Sequence, residues 1–176
     1  MELNEVLALA EGCGFHHRGP LDVKALRFLP EVRAMCAAGK CGQYGRSWSC
    51  PPACGTLEEA AERARRYAQG VLVQTTGALE DDFDVEGMME AEQIHKDRFF
   101  HLVDALRAAE LDCLPMAAGA CTVCPVCAYP EPCRSPDRAI PSMEAYGIFV
   151  SQLCASSGLD YNYGPRTVTY TSCVLF

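Results

Sequence analysis

The segment that most constrains the structure of this chain holds four cysteines between residues 121 and 133, spaced C-x2-C-x2-C-x5-C. Successive C-x2-C steps are typical of loops that wrap an iron–sulfur cluster, with a further cysteine completing the ligand set. Three prolines stiffen the segment, and its remaining amides are available to point at cluster sulfurs. The segment therefore predicts a metal centre, most simply a [4Fe–4S] cluster. Its predicted ligands are Cys121, Cys124, Cys127 and Cys133.

A second group of cysteines precedes it in the chain, with the spacing C-x4-C-x8-C-x3-C between residues 36 and 54. Glycines recur between these cysteines and allow tight turns around a bulky inorganic ligand. The Cys50-Pro-Pro sequence is similar to the Cys-Pro that ends bacterial ferredoxin motifs. This group predicts a second metal centre. Its predicted ligands are Cys36, Cys41, Cys50 and Cys54.

The spacing of both groups favours iron–sulfur clusters over zinc, because structural zinc sites usually combine two separate C-x2-C pairs. Two arrangements stay open: each group holds its own cluster, or Cys50 and Cys133 cross over and the groups share ligands. Either arrangement uses eight cysteines and, if both centres are iron–sulfur, two [4Fe–4S] clusters. The remaining cysteines are expected to pack as small apolar side chains: Cys13, Cys113, Cys154 and Cys173.

Composition limits the classes of partner that the protein is expected to bind and the compartment in which it is expected to lie. The net charge of −8 argues against nucleic acid, which requires a basic face. No apolar run is long enough to span a membrane, and the acidic N-terminus lacks the pattern of a signal peptide. We therefore expect a cytoplasmic protein whose twelve cysteines stay reduced. The acidic segment 80–86 is either solvated surface or a docking site for a basic redox protein.

Hydrophobic periodicity predicts one α/β domain over residues 1–176, with a small mixed sheet, packed helices and two Cys-rich metal-binding loops. Helices are expected at 2–11, 56–69, 86–110 and 142–157, and strands at 71–75, 111–117 and 167–176. Residues 31–35 suggest a further short strand, and residues 16–20 suggest a turn. The succession of strand 71–75, helix 86–110 and strand 111–117 indicates a right-handed βαβ crossover that ends at the second cysteine group.

Several other residues have both a functional and a structural interpretation. His95 lies on the apolar stripe of helix 86–110, where a hydrogen-bonded core histidine is favoured over a cluster ligand or proton donor. Tyr44 and Trp48 either shield a cluster from water or pack as ordinary aromatics. Arg134 and Arg138 either hold the negative charge of a cluster or contribute to solubility.

The residues from Val32 through the first cysteine group to Cys50-Pro-Pro, followed by a capped helix and a strand, resemble the N-terminal motif of a known family. Its bacterial and archaeal members are uncharacterised, are described as predicted metal-binding proteins, and also carry the later Cys-rich loop. The resemblance covers residues from about 30 to 160. It implies metal binding, most readily iron–sulfur, by the eight cysteines of the two groups. It implies no particular reaction.

Three functions remain in competition at this point. The first is an electron carrier, whose acidic face docks a basic redox partner. The second is a redox enzyme, such as a reductase, in which Tyr44, Arg46, Trp48 and His95 line a pocket for a small-molecule substrate. The third is a zinc-stabilised interaction module. The length of the chain favours the enzyme over a minimal carrier, because 176 residues are enough to build a pocket.

Overall fold

A computed structural model describes all of residues 1–176, and its centre is one four-stranded sheet in the order β1-β2-β4-β3. The helices are α1 (Leu3–Gly12), α2 (Pro30–Ala37), α3 (Leu57–Ala64), α4 (Val85–Ala108) and α5 (Val150–Ser156). The strands are β1 (His17–Asp22), β2 (Gln69–Ala78), β3 (Leu114–Met116) and β4 (Thr167–Leu175). Helices and strands share one fold, so the predicted α/β class is confirmed.

All neighbouring strands of the sheet pair antiparallel, and the single parallel pairing is an isolated bridge between Ala117 and Ser142. β2 and β3 run in the same direction and α4 connects them, so the predicted βαβ succession is present, with β4 inserted between its two strands. The C-terminal segment is rich in β-branched residues and pairs with β2 along its whole length. β3 has only three residues, and Pro115 removes one backbone donor from it.

Two apolar layers cover the two faces of the sheet. Val71 and Val73 of β2 face α1 and α4, while Leu72 between them faces α3 and α5. This alternation follows from the two-residue period of a strand, and it explains why a run of consecutive apolar residues is fully buried here. On the α4 side, the apolar stripe of that helix contributes Phe99, Leu102, Val103 and Leu106.

Two local predictions are wrong. Residues 31–35 belong to helix α2 because Pro30 occupies its first turn, where proline is favoured. Residues 17–20 belong to β1, which pairs with the first six residues of β2. Pro30 is thus a local helix signal, whereas the conformation of residues 17–20 depends on their pairing with a distant strand.

The predicted helix 142–157 is divided into a short 3-10 helix, Glu144–Tyr146, and α5. Gly147 separates them with φ +74°, and a side chain there would meet Leu57 Cδ2 at 2.7 Å and the Leu29 carbonyl at 2.9 Å. Only glycine fits this left-handed, crowded position. The break holds the start of α2 beside the start of α3. The 3-10 helix before it contacts both ends of the first cysteine group, since the Cys36 Sγ lies 3.9 Å from the Glu144 carbonyl and the Cys54 Sγ lies 3.8 Å from the Ala145 carbonyl.

The remaining elements are confirmed, with shifted ends. α1 and α4 lie where periodicity predicts them, and α3 begins at the predicted capping box, in which Thr56 and Glu59 exchange hydrogen bonds. Gly158 follows α5 in the left-handed conformation, as expected for a helix stop. No helix in the fold combines the length and the apolar character that a membrane crossing requires.

Candidate metal centre

The first cysteine quartet, Cys36, Cys41, Cys50 and Cys54, gathers between α2 and α3. Cys36 lies in the last turn of α2, and Cys41 follows in an exposed loop. Cys50 and Cys54 sit on one helical turn, in which the Cys54 amide donates to the Cys50 carbonyl at 3.0 Å. Cys36, Cys41 and Cys50 line the same cavity, so these thiols share one region of the fold.

Burial is uneven within this quartet. Cys50 and Cys54 are only 7% and 8% exposed, whereas Cys41 is exposed. Burial raises the pKa of Cys36, Cys50 and Cys54, and the neighbouring cysteines add to the rise for Cys36 and Cys50. A metal that binds these thiols as thiolates must therefore displace their protons.

Two arginines face Cys54. The Arg33 Nη2 donates to the Cys54 Sγ at 3.5 Å and also to the Gly55 carbonyl. Arg63 acts on the same thiol, and both guanidinium groups lower its pKa against the larger effect of burial. The Nε of Arg33 is buried and has no hydrogen-bond partner. The site therefore has positive charge and an unused donor beside one of its buried thiols.

The second cysteine quartet, Cys121, Cys124, Cys127 and Cys133, occupies the loop that leaves the end of β3. All four thiols line one small pocket, so they also share one region. Desolvation alone would raise the pKa of Cys127. Hydrogen bonds from the Tyr129 and Trp48 amides and from Ser47 outweigh it and hold the pKa below its usual value. Amide donors in this loop thus already favour negative charge on sulfur.

A polar chain through the core anchors the start of this loop. His95 lies between Thr75 and Ser172, with its Nδ1 3.0 Å from the Thr75 Oγ1 and its Nε2 2.7 Å from the Ser172 Oγ. The Ser172 Oγ also accepts from the Ala118 amide at 2.9 Å. The chain ties α4 and β4 to the backbone three residues before Cys121.

The two quartets are adjacent, and the Ser47–Ser49 segment joins them. The Ser49 Oγ accepts from the Cys121 amide at 3.0 Å and lies 3.8 Å from the Cys50 Sγ. The Trp48 indole N–H donates to the Glu131 carbonyl at 2.9 Å, and its ring packs edge-on against Tyr129. The first cysteine segment therefore forms one wall of the second loop.

A cavity of about 660 Å³ opens beside the first quartet. Three cysteines of that quartet line it together with Cys121 of the second. Its wall also includes Lys96, which is buried in α4 and bonded to Glu92 at 2.5 Å and to the Ala120 carbonyl at 3.2 Å. This volume lies within the range of small-molecule sites.

The other residues singled out in the sequence lie in different surroundings. His95 is fully buried with both ring nitrogens occupied, so the core interpretation is confirmed. Tyr44 lines the cavity, whereas Trp48 faces the second quartet. Arg134 lies against the second quartet, but Arg138 pairs with Asp104 and stacks over Phe100.

The four cysteines outside the quartets lie in or against the apolar core. Cys154 and Cys173 belong to the core layer that faces α3 and α5, and Cys13 and Cys113 pack against the α4 layer. This confirms the expectation that they act as small apolar side chains. All twelve cysteines are free, with no disulfide among them.

Sequence reasoning missed four residues that shape the site: Arg33, Ser47, Ser49 and Lys96. The serines carried a weak signal, because they flank the single tryptophan inside the first cysteine segment. Lys96 lies next to the apolar stripe of α4 and is buried. This position is unusual for a lysine, whose side chain is normally exposed to solvent. Nothing local in the sequence marks Arg33 as a neighbour of Cys54.

No three His, Cys, Asp or Glu side chains converge in the geometry that a single metal ion requires, so the structure does not itself identify a metal. Residues 19–176 match the model of a protein family described as "Predicted metal-binding protein (DUF2284)". No curated protein and no solved structure matches the chain.

Proposed function

The chain belongs to the DUF2284 family of predicted metal-binding proteins, and on that premise we propose that it is an iron–sulfur redox protein with one [4Fe–4S] cluster in each cysteine quartet. Bound clusters would supply one-electron carriers. The protein would supply the thiolate ligands, the hydrogen bonds to sulfur and the exclusion of water.

The chemistry of the donor set supports this proposal. Each quartet offers four thiols, and the C-x2-C-x2-C spacing of the second is typical of iron–sulfur loops. The unpartnered Nε of Arg33 lies on a side chain that already bonds Cys54, so an added sulfide would give it an acceptor. The amides around Cys127 would donate to sulfur in the same way.

The adjacency of the quartets carries the redox assignment. A single hydroxyl, that of Ser49, contacts Cys50 of one quartet and the Cys121 amide of the other. Two centres this close would exchange electrons faster than either exchanges them with a separate protein. A pair of adjacent clusters would act as a relay for electrons, and this use of the arrangement supports electron transfer over a zinc-stabilised module.

The ligand variants and a matched control test this proposal. Anaerobically purified protein should contain about eight iron and eight acid-labile sulfide per chain. Cys54→Ala and Cys124→Ala should each lose about half of both, whereas Cys113→Ala, outside both quartets, should lose neither. The fully reduced protein should show magnetic splitting from two interacting clusters in its electron paramagnetic resonance spectrum. Colourless protein with one or two zinc ions would refute the proposal.

An acidic surface at the start of α4 supports a basic redox protein as the electron partner. Residues 80–86 combine five acidic side chains with Phe83, which is 87% exposed. Seven residues, or about 10 Å of helix, separate Val85 from Glu92 on the cavity wall. We expect Asp81→Asn with Asp82→Asn to slow electron transfer to a basic one-electron acceptor at low salt, with no change at high salt.

The cavity favours a second candidate function, a reductase acting on a small molecule at the first quartet. A carrier needs no internal cavity, and this one exposes three potential ligands of the first quartet and a buried lysine. Spectral changes on adding candidate substrates to the reduced protein would support the reductase. Since free thiols persist in reducing compartments, we place either form of the protein in the cytoplasm.

A further inference from the structure

The four cysteines of the first quartet are held very differently. Cys54 bonds Arg33 and lies 3.8 Å from the Ala145 carbonyl, and Cys50 lies against Ser49. Cys36 is fixed in α2, with its Sγ 3.9 Å from the Glu144 carbonyl. Cys41 alone is exposed, and its thiol has no hydrogen-bond partner in the fold.

The loop that carries Cys41 has little to hold it in place. Residues 38–46 contain neither helix nor strand, and all of them except Gly45 are exposed. Gly39 and Gly42 flank the cysteine with positive φ angles, and a side chain at either would have nothing within 4 Å. Loops with few packing contacts open at low free-energy cost. The chain therefore provides three thiols held by neighbouring groups and one on an exposed segment with few packing contacts.

The cavity beside Cys41 provides space for a ligand at that corner. Its volume of about 660 Å³ suits a small organic molecule. Half of the lining residues are hydrophobic, and the charged groups on the wall are the ammoniums of Lys40 and Lys96 and the carboxylates of Glu92 and Glu144. Release of the Cys41 thiolate would remove one negative charge from the ligand set of the cluster. A molecule bearing an oxygen anion would restore that charge, and the Lys96 ammonium would bind a polar group of the same molecule.

We propose that Cys41 is the releasable ligand of the first quartet, and that the adjoining cavity binds a small oxygen-bearing organic molecule at the corner that Cys41 leaves. With a cluster bound, Cys41 would give up its place as a ligand, its thiolate would take a proton from solvent, and no oxidation state would change. This proposal rests on the iron–sulfur assignment of the first quartet, and it names the substrate class of that site.

Iron retention in matched cysteine variants tests the release of Cys41. Cys41→Ala should keep at least three of the four irons of the first cluster, whereas Cys50→Ala and Cys54→Ala should lose all four. Equal iron loss in Cys41→Ala and Cys54→Ala would overturn the proposal. Wild-type protein without iron and sulfide would instead overturn the underlying assignment, so the two failures are distinguishable.

Oxalate, a small molecule with two carboxylates, tests the cavity. Adding it to the reduced wild-type protein should change the resonance spectrum of one cluster, and Cys41→Ala should respond at lower oxalate concentration. Lys96→Met should weaken the apparent affinity at least tenfold, while Lys40→Met, on the exposed part of the same wall, should change it less than twofold. An unchanged spectrum in both wild type and Cys41→Ala would overturn the ligand assignment.

Discussion

The Ser49 hydroxyl accepts a hydrogen bond from the Cys121 amide at 3.0 Å. The same oxygen lies 3.8 Å from the Cys50 Sγ and 3.1 Å from the Ser47 Oγ. One fully buried side chain therefore contacts both cysteine groups, which are distant in sequence. The relationship places the two quartets side by side in the fold.

Replacing Ser49 by alanine should lower the stability of the fold while sparing metal content. The change leaves the Cys121 amide without its acceptor, which costs about 1–3 kcal/mol in urea unfolding. Ser156→Ala, which removes a hydroxyl bonded to the Leu153 carbonyl in α5, serves as the matched control and should cost less than about 1 kcal/mol. In Ser49→Ala the magnetic interaction between the reduced clusters should also change. Equal stability of the two variants would contradict this account of Ser49.

Arg33 should raise the reduction potential of the cluster proposed for the first quartet. Its guanidinium bonds Cys54, and a positive donor stabilises the more negative, reduced state. We expect Arg33→Met to lower that potential by about 50 mV, close to a tenfold change in the one-electron equilibrium. A redox titration followed by electron paramagnetic resonance measures it. Arg27→Met, whose guanidinium bonds only nearby carbonyls, should leave both potentials unchanged.

His95 should make the protein sensitive to acid. Burial lowers the pKa of His95 to about 3, and the positive charges of Arg98 and Lys96 add to the effect. In the unfolded chain its pKa is about 6.5, so the unfolded state binds a proton that the folded state rejects. The contribution to stability is complete above pH 6.5 and falls by up to about 1.4 kcal/mol per pH unit as the pH drops toward 3.

Unfolding experiments between pH 7.5 and 4.5 check this dependence. His95→Gln should be less stable than wild type at pH 7.5, because the bonds to Thr75 and Ser172 are disturbed, yet its stability should fall less steeply with acid. His101→Gln, on the exposed side of the same helix, should keep the wild-type slope. A wild-type slope in His95→Gln would show that other groups cause the acid sensitivity.

Cys173 should matter for packing and not for metal. It is completely buried in β4, where it pairs with Leu72 of β2 and Met116 of β3. Cys173→Ala should cost about 1–2 kcal/mol of unfolding free energy and retain all bound metal. Cys127→Ala should show the reverse, with about half the metal lost and a smaller change in the stability of the metal-free protein. Metal analysis and urea unfolding of both variants separate the two roles.

Local sequence was sufficient for the elements with strong internal signals. The stripe of α4, the capping box of α3 and the β-branched run of β4 each determine their own structure. The prediction for residues 31–35 was wrong although Pro30 is a local signal for helix α2. Local sequence was insufficient for β1, whose conformation depends on its pairing with a distant strand.

The sequence by itself determined the eight candidate ligands and their division into two groups, because ligand spacing is a local property of the chain. Only the tertiary structure decided that the groups adjoin, that Arg33 and Lys96 face them, and that a cavity opens at Cys41. These features depend on contacts between residues far apart in sequence, such as Ser49 and Cys121, and no local spacing encodes them. The insertion of β4 between β2 and β3 is of the same kind, since pairing between distant strands is settled by the packing of the whole sheet.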